Sequence, residues 1–153
     1  MRRKLRVAAY AMCIRDEKIL LARWLDDEGR PEWTLPGGGM EHGEHPYDTV
    51  LREVEEETGY LVEITGLLGV DSISRTFTRG FGRRTDHHGV RLVYEARVIA
   101  GELRPEIGGS TDLAAWHPLT EVPALNRVGL VDVGLRLWQE RPVTGRVTAP
   151  ADE

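Results

Sequence analysis

The sequence has few of the features that mark several large classes of protein. It contains one cysteine, Cys13, so no internal disulfide can form, and we expect a reducing compartment, the cytoplasm. No apolar run approaches the roughly 18 residues that a membrane-spanning helix needs, so we expect no membrane partner. The 20 basic residues are outnumbered by 25 acidic ones. This balance argues against a nucleic-acid partner, because such binding depends on neutralising phosphates.

The length and composition fit one globular domain. A chain of 153 residues that is 41% hydrophobic can bury one core but not two. Strands interspersed with helices predict an α/β (α+β) fold. We expect a single domain over residues 1–140, followed by a flexible C-terminal tail over residues 141–153.

The spacing of apolar residues predicts where the regular elements lie. Alternating or β-branched stretches predict strands at 5–14, 19–24, 33–35, 62–70, 92–99 and 113–119. Apolar residues at helical spacing predict helices at 46–58 and 126–138. The polar stretch 71–89 predicts a long loop, and loops of that length are usually functional or mobile. It contains Arg75, Arg79, Arg83 and Arg84.

The predicted helix Pro46–Thr58 concentrates acidic residues on one side. Glu53, Glu56 and Glu57 are three and four residues apart and therefore share a face. Like charges at this spacing repel by roughly 0.2–0.5 kcal/mol per exposed pair. A divalent cation such as Mg²⁺ would supply the missing attraction, because it prefers oxygen ligands. The face therefore predicts a metal site, and the alternative is a solvated acidic surface.

The stretch from Gly38 to Tyr60 resembles the Nudix box, the motif of the Nudix hydrolase family. Tyr60 stands where the family has an aliphatic residue, and Thr49 stands where it often has alanine; both departures are mild. The segment 110–119, which contains Trp116, is also similar to the family. The residues that match the box are Gly38, Glu44, Arg52, Glu53, Val54, Glu56, Glu57 and Gly59.

This resemblance implies an α/β/α sandwich with a mixed β-sheet. It also implies metal-dependent hydrolysis of the pyrophosphate bond in a nucleoside diphosphate linked to another moiety, by attack of water on phosphorus. The implied cofactor is Mg²⁺, with Mn²⁺ able to substitute. By the same match Arg52 orients the glutamates, and Glu44 and Gly37 position the loop before the helix. The implied metal ligands are Glu53, Glu56, Glu57 and the carbonyl of Gly38.

The sequence leaves more than one candidate for the residue that acts as the general base. Glu53 lies on the predicted metal face, but in some Nudix enzymes the base comes from a distant loop. Glu102, Glu106 and Asp112 are the candidates for such a loop residue here. Candidates for substrate contact are Arg83, Arg84 and Asp112.

The substrate is also open within the class of small-molecule nucleotides. The proline and tyrosine that mark the ADP-ribose and dinucleoside polyphosphate groups of the family are missing from residues 75–78. A nucleoside triphosphate is therefore the default substrate.

The main alternative function is a non-catalytic sensor of nucleotides or ADP-ribose on the same fold. An isomerase of isoprenoid diphosphates would need a reactive cysteine in its site, whereas Cys13 falls in a predicted strand. Many family members are dimers, so a homodimer is a further expectation.

Overall fold

The computed structural model describes residues 1–147, except for the side chain of Arg79, and residues 148–153 lie outside the described part. Eight strands and two α-helices follow one another along this part of the chain. In order they are β1 (Arg2–Met12), β2 (Ile14–Arg15), β3 (Lys18–Leu25), β4 (Pro31–Thr34), β5 (Gly37–Gly39), α1 (Pro46–Thr58), β6 (Tyr60–Arg79), β7 (Arg83–Gly101), β8 (Thr111–Pro118), a 3₁₀ helix (Leu119–Ala124) and α2 (Gly129–Glu140).

The strands form two sheets. The first has the order β5-β1-β7-β6 and is mixed, because β1 and β7 run parallel while the other pairs are antiparallel. In the second sheet β3 pairs with β2, β4 and β8, each time antiparallel. Parallel pairing of β1 with β7 places the start of the chain next to the first half of β7.

The two helices pack on opposite sides of the strands. Val50 and Val54 of α1 belong to a buried cluster with Ala9 and Ala11 of β1. On the other side α2 packs against Met12 in a second cluster. Neighbouring residues of a strand point to opposite faces, so β1 contributes to both clusters. This arrangement is an α/β/α sandwich with a mixed sheet and confirms the predicted fold class. Within residues 1–147 neither helix is long and apolar enough to cross a bilayer.

The prediction of a long loop over residues 71–89 is wrong. Strands β6 and β7 remain paired from Asp71, opposite Arg91, to the end of the hairpin at Arg79 and Arg83. The chain reverses at residues 80–82, where Phe81 and Gly82 have positive φ. Much of this ladder is solvent-exposed on both faces, so its residues are polar and carry no alternating apolar signal. Backbone pairing, and not burial, defines these strands.

The start of the predicted C-terminal tail contacts the domain. The backbone N–H of Val70 donates to the carbonyl of Gly145 at 2.8 Å. Val147 packs against the cluster below α2. Gly145 and Val147 therefore lie against the domain, and the rest of the predicted tail, residues 148–153, falls outside the described residues.

Candidate active site

The helix that carries the acidic face begins and ends where the sequence predicts. Pro46 occupies its first turn, and Nδ1 of His45 accepts a hydrogen bond from the N–H of Tyr47 at 3.0 Å. The helix ends at Thr58 and is followed by Gly59, whose φ of 82° is favourable for glycine. Burial of Val50 and Val54 fixes the rotation of the helix. Glu53 and Glu57 are thereby turned towards β5.

Arg52 connects the helix to the loop that precedes it. Its guanidinium donates two hydrogen bonds to Glu44, one to Glu53 at 3.0 Å and one to the carbonyl of Gly39 at 3.2 Å. It also lies 3.5 Å from the carboxylate of Glu56. The bonds from Arg52, with a further bond from Thr49, lower the pKa of the Glu44 carboxyl to about 2. One arginine therefore holds Glu44, Glu53 and the carbonyl of Gly39 in place.

Glu57 is an ionisable side chain with almost no exposure to solvent. It is 2% exposed, and its carboxylate accepts a hydrogen bond from the N–H of Gly37 at 3.3 Å. Burial raises the pKa of Glu57 to about 9, with contributions from the neighbouring carboxylates of Glu53 and Glu106. A cation bound at this point would favour the ionised form. Glu57 therefore favours the protonated form unless a positive charge lies close to it.

Two glycines of β5 allow the strand to pass close to its neighbours. A Cβ at Gly37 would lie 2.3 Å from the carbonyl oxygen of Ala9, so no larger residue fits. A Cβ at Gly38 would lie 2.9 Å from the carboxyl carbon of Glu53. The backbone at Gly38 is therefore in contact with the glutamate that the family match assigns as a metal ligand.

The predicted metal ligands are partly assembled. Glu53 is close enough to Glu57 to raise its pKa, and both lie beside Gly38, whereas Glu56 is 48% exposed and faces Arg52. Among the described residues, no three His, Cys, Asp or Glu side chains are already grouped as a metal site. The oxygen donors and the buried position of Glu57 beside other carboxylates nevertheless fit a hard divalent cation such as Mg²⁺.

A cavity of about 370 Å³ opens beside these residues. Glu53, Glu57 and β5 form one wall, and Trp24 forms part of another. Sequence reasoning missed three of its lining residues, Arg6, Tyr10 and Arg91. Two of them could have been placed together from the sequence. Side chains alternate along β1, so Arg6, Tyr10 and Met12 point to the same face.

The three candidates for a loop base lie in different surroundings. Glu106 accepts hydrogen bonds from the N–H and hydroxyl of Thr111, at 3.0 and 2.9 Å, and is close enough to Glu57 to affect its pKa. Asp112 forms an ion pair with Arg23 at 2.9 Å, and this arginine lowers the pKa of Asp112. The carbonyl of Glu102 lies 2.3 Å from where a Cβ on Gly59 would be. Of these three, the structure brings Glu106 close to the acidic wall.

The other candidate substrate contacts lie far from the glutamates. Arg83 and Arg84 are at the tip of the β6–β7 hairpin, next to the start of β1. Tyr10, which lines the cavity, pairs with Val93. At about 3.3 Å per residue, this pair is roughly 30 Å along β7 from Arg83.

Three tryptophans and the cysteine lie in different surroundings. Trp24 lines the cavity, whereas Trp33 packs edge-on against His117 with ring centroids 4.3 Å apart. Trp116 contacts Tyr60 on the side of α1. Cys13 is buried in the same cluster, and burial raises the pKa of its thiol to about 11, so it is not placed as a reactive group of the cavity.

Comparison with known proteins identifies the family. The profile of the NUDIX domain matches residues 4–135. The chain is 34% identical over 119 residues to an ADP-ribose pyrophosphatase of Methanocaldococcus jannaschii, covering 78% of this chain and 65% of the relative. The chain spans 34% and 36% of the lengths of two further curated relatives.

Solved structures agree with this match. A MutT NUDIX hydrolase of Burkholderia pseudomallei is 29% identical, with a TM-score of 0.69 over 88% of this chain and 98% of that chain. A NUDIX hydrolase of Nitrosomonas europaea, 23% identical with a TM-score of 0.69 over 90% of each chain, has the same fold. Fold, box and profile lead to one conclusion: the chain belongs to the Nudix hydrolase family.

Proposed function

We propose that this chain is a metal-dependent hydrolase of the pyrophosphate bond in nucleoside diphosphates linked to another moiety, with water attacking phosphorus. The observation that carries the proposal is the buried carboxylate of Glu57 beside Glu53 and Gly38 in the wall of a cavity. A buried acid beside a second carboxylate costs free energy unless a cation or a proton compensates it. Membership of the Nudix family supports hydrolysis as the use of that site.

Each residue of the box has a role in this proposal. Glu53, Glu57 and the carbonyl of Gly38 hold the cation, and Glu56 joins them from the same face of α1. Arg52 fixes the carboxylate of Glu53 by its 3.0 Å hydrogen bond. Glu44 and Gly37 hold the loop and β5 in place. When bound, Mg²⁺ supplies charge neutralisation of the phosphates and lowers the pKa of bound water.

Glu53 is our first choice for the general base, and Glu106 is the loop alternative. Glu53 lies in the cavity wall, and Glu106 is held near Glu57 by Thr111. We assign Asp112 no role as the base because its carboxylate is paired with Arg23. The pH profiles of kcat for Glu53→Gln and Glu106→Gln decide between the two. The variant that lacks the base loses the acidic limb of the profile, and the other variant keeps it.

A nucleoside triphosphate is the default substrate in the proposal. The named relative acts as an ADP-ribose pyrophosphatase, so ADP-ribose is the first alternative to test. A cytoplasmic location, expected from the single cysteine, stays a prediction together with a homodimeric state.

A magnesium-supported hydrolysis assay tests the function. The panel contains nucleoside triphosphates, sugar nucleotides, ADP-ribose and dinucleoside polyphosphates. We expect turnover of at least one of them and a loss of roughly 10²–10³ in kcat for Glu57→Gln, the scale of removing one strong electrostatic stabiliser. Glu55→Gln is the matched control, since Glu55 is on the same helix but exposed. Binding of a nucleotide without turnover would contradict the proposal and favour the sensor.

A further inference from the structure

Beyond the cavity, β1, β6 and β7 continue as a three-stranded extension with a strongly basic face. Residues that pair across neighbouring strands point to the same side of a sheet, so the register shows which residues share a face of this extension. Arg2 pairs with Thr85, Lys4 pairs with His87, and His87 pairs with Arg75. We call this side the basic face. Its basic residues are Arg2, Lys4, Arg6, Arg75, Arg83 and Arg91.

The positive charge of the basic face is not balanced by acidic residues on the same face. Among the described residues that the register places on it, the one acid is Asp71, and Asp71 is ion-paired with Arg91. Glu32 of β4 reaches the same groove from the side. A chain with a formal charge of −5 thus concentrates cations on one side of one extension. Like charges at such spacing repel one another, so an anionic partner would stabilise the arrangement.

The basic face is continuous with the active-site cavity. The guanidinium of Arg6 lies over β5, 3.1 Å from where a Cβ on Gly39 would be. A groove of about 740 Å³ shares Arg6, Tyr10 and Arg91 with the cavity of the glutamates. A further groove of about 300 Å³ follows, and its lining residues are Arg2, Lys4, Phe77, Thr85 and His87.

Aromatic side chains are placed among these cations. Phe77 and His87 lie edge to face with ring centroids 6.2 Å apart, and Phe77 is 45% exposed. Trp24 stands where the groove and the cavity meet. Basic grooves with interspersed aromatic rings bind phosphates and stack bases. From Tyr10 to Arg2 the strand spans roughly 26 Å at about 3.3 Å per residue, which exceeds the reach of one nucleotide.

We propose that the basic face is a second binding site, which holds further phosphate groups that extend a substrate beyond its scissile diphosphate. The ligand is thus an extended polyanion whose first diphosphate lies at Glu53 and Glu57 and whose continuation follows β1 towards Lys4. This inference rests on the proposed function for the first diphosphate. Anion binding by the face itself does not depend on hydrolysis.

Binding without catalysis tests the face directly. Titration calorimetry of the full chain in EDTA uses a linear inorganic polyphosphate long enough to span the face, with pyrophosphate as the short probe. We expect the polyphosphate to bind more tightly than pyrophosphate, with an affinity that falls steeply with salt. In Lys4→Gln/Arg75→Gln the affinity should fall roughly tenfold or more, because two charged contacts are lost.

The matched control removes the same charges elsewhere. Arg3→Gln/Lys18→Gln also replaces one arginine and one lysine, both exposed, but Arg3 points to the opposite side of β1 and Lys18 begins β3. We expect the control to bind the polyphosphate as the wild type does. Equal weakening in both double variants would overturn the proposal, since net charge alone would then explain binding. Absence of binding in the wild type would also overturn it.

Two nucleotide probes identify the source of the extra phosphates. With wild-type enzyme and Mg²⁺, KM is measured for a dinucleoside tetraphosphate, a 5′-triphosphorylated oligonucleotide and ADP-ribose. We expect Lys4→Gln/Arg75→Gln to raise KM for at least one extended probe and to leave KM for ADP-ribose unchanged. A rise for one extended probe alone identifies the source, and a rise for both shows that the face accepts either. An equal rise for ADP-ribose would overturn the proposal.

Failure of the proposed function has a different signature. If the wild type hydrolyses none of the probes but binds polyphosphate through the basic face, the proposed hydrolase function is wrong and the proposal of a second binding site is supported. Occupation of the face by a second copy of the chain is the remaining alternative. A wild-type dimer that Lys4→Gln/Arg75→Gln converts to a monomer, as measured by sedimentation, would overturn the proposal.

Discussion

The hydroxyl of Tyr60 accepts a hydrogen bond from the indole N–H of Trp116 at 3.0 Å. Tyr60 is the last residue of the box and one of the two positions at which the chain departs from the family pattern. The guanidinium of Arg15 lies 4.4 Å from the ring centroid of Trp116 and completes the contact. The departure therefore has a structural use, because it links the end of α1 to β8, the strand that follows the loop of Glu106.

Replacing Tyr60 by phenylalanine should destabilise the protein without affecting catalysis. The change leaves the Trp116 N–H without its partner in a half-buried position, a cost of about 1–3 kcal/mol. Urea unfolding followed by tryptophan fluorescence measures it. Tyr47→Phe is the control, since Tyr47 is 41% exposed and should give a change within about 0.5 kcal/mol. An unchanged midpoint in Tyr60→Phe would show that the hydrogen bond is not needed.

Glu44→Gln should lower the stability of the protein in a pH-dependent manner. The hydrogen bonds from Arg52 and Thr49 lower the pKa of Glu44 from its ordinary value of 4.5 to about 2. The stabilisation is therefore complete above about pH 4.5 and is lost as the pH falls towards 2. Thermal unfolding of both proteins between pH 7 and pH 2 should give Tm values that converge at the acidic end. A constant Tm difference over this range would contradict the ion-pair assignment.

Metal binding should release a proton from Glu57. Its pKa of about 9 means that the metal-free folded protein holds this proton at neutral pH, whereas the unfolded chain has lost it. Metal-free stability should therefore fall as the pH rises from about 4.5 to about 9. Because ligands bind cations in the ionised form, Mn²⁺ affinity should rise over the same range.

Calorimetry of Mn²⁺ binding in buffers of different ionisation enthalpy measures the proton directly. We expect close to one proton released per site at pH 7 in the wild type and none from this position in Glu57→Gln. Binding without proton release in the wild type would mean that Glu57 is already ionised.

The two glycines of β5 that follow Gly37 should differ in their tolerance of alanine. A Cβ at Gly38 meets the carboxylate of Glu53 at 2.9 Å, so Gly38→Ala should displace this glutamate and lower kcat roughly 10²-fold. A Cβ at Gly39 meets the end of the flexible Arg6 side chain at 3.1 Å, so Gly39→Ala should retain kcat within a few-fold. Steady-state kinetics of the two variants, with circular dichroism to check the fold, provides the comparison. Similar losses in both would contradict a specific contact between Gly38 and Glu53.

The sequence predicts the parts of the fold whose signal is local. Helix α1 begins at Pro46 and ends at Thr58, as predicted, because proline at the first turn and Gly59 after the last one act over a few residues. The strands with buried faces are also predicted, although their ends differ by several residues. The hairpin around Phe81 is not predicted from the sequence, because its pairing involves residues that remain solvent-exposed and show no apolar alternation.

The box by itself determined the family, the acidic face of α1 and the candidate ligands, since these follow from residue types at short spacings along one helix. Tertiary structure decided which acids meet. It buried Glu57 beside Glu53, left Glu56 half exposed, and left Arg83 and Arg84 at the end of a hairpin. It also brought Arg6 and Arg91 to one groove, because parallel pairing joins strands that are some eighty residues apart in the sequence. Contacts of that range depend on register and packing, which no local pattern encodes.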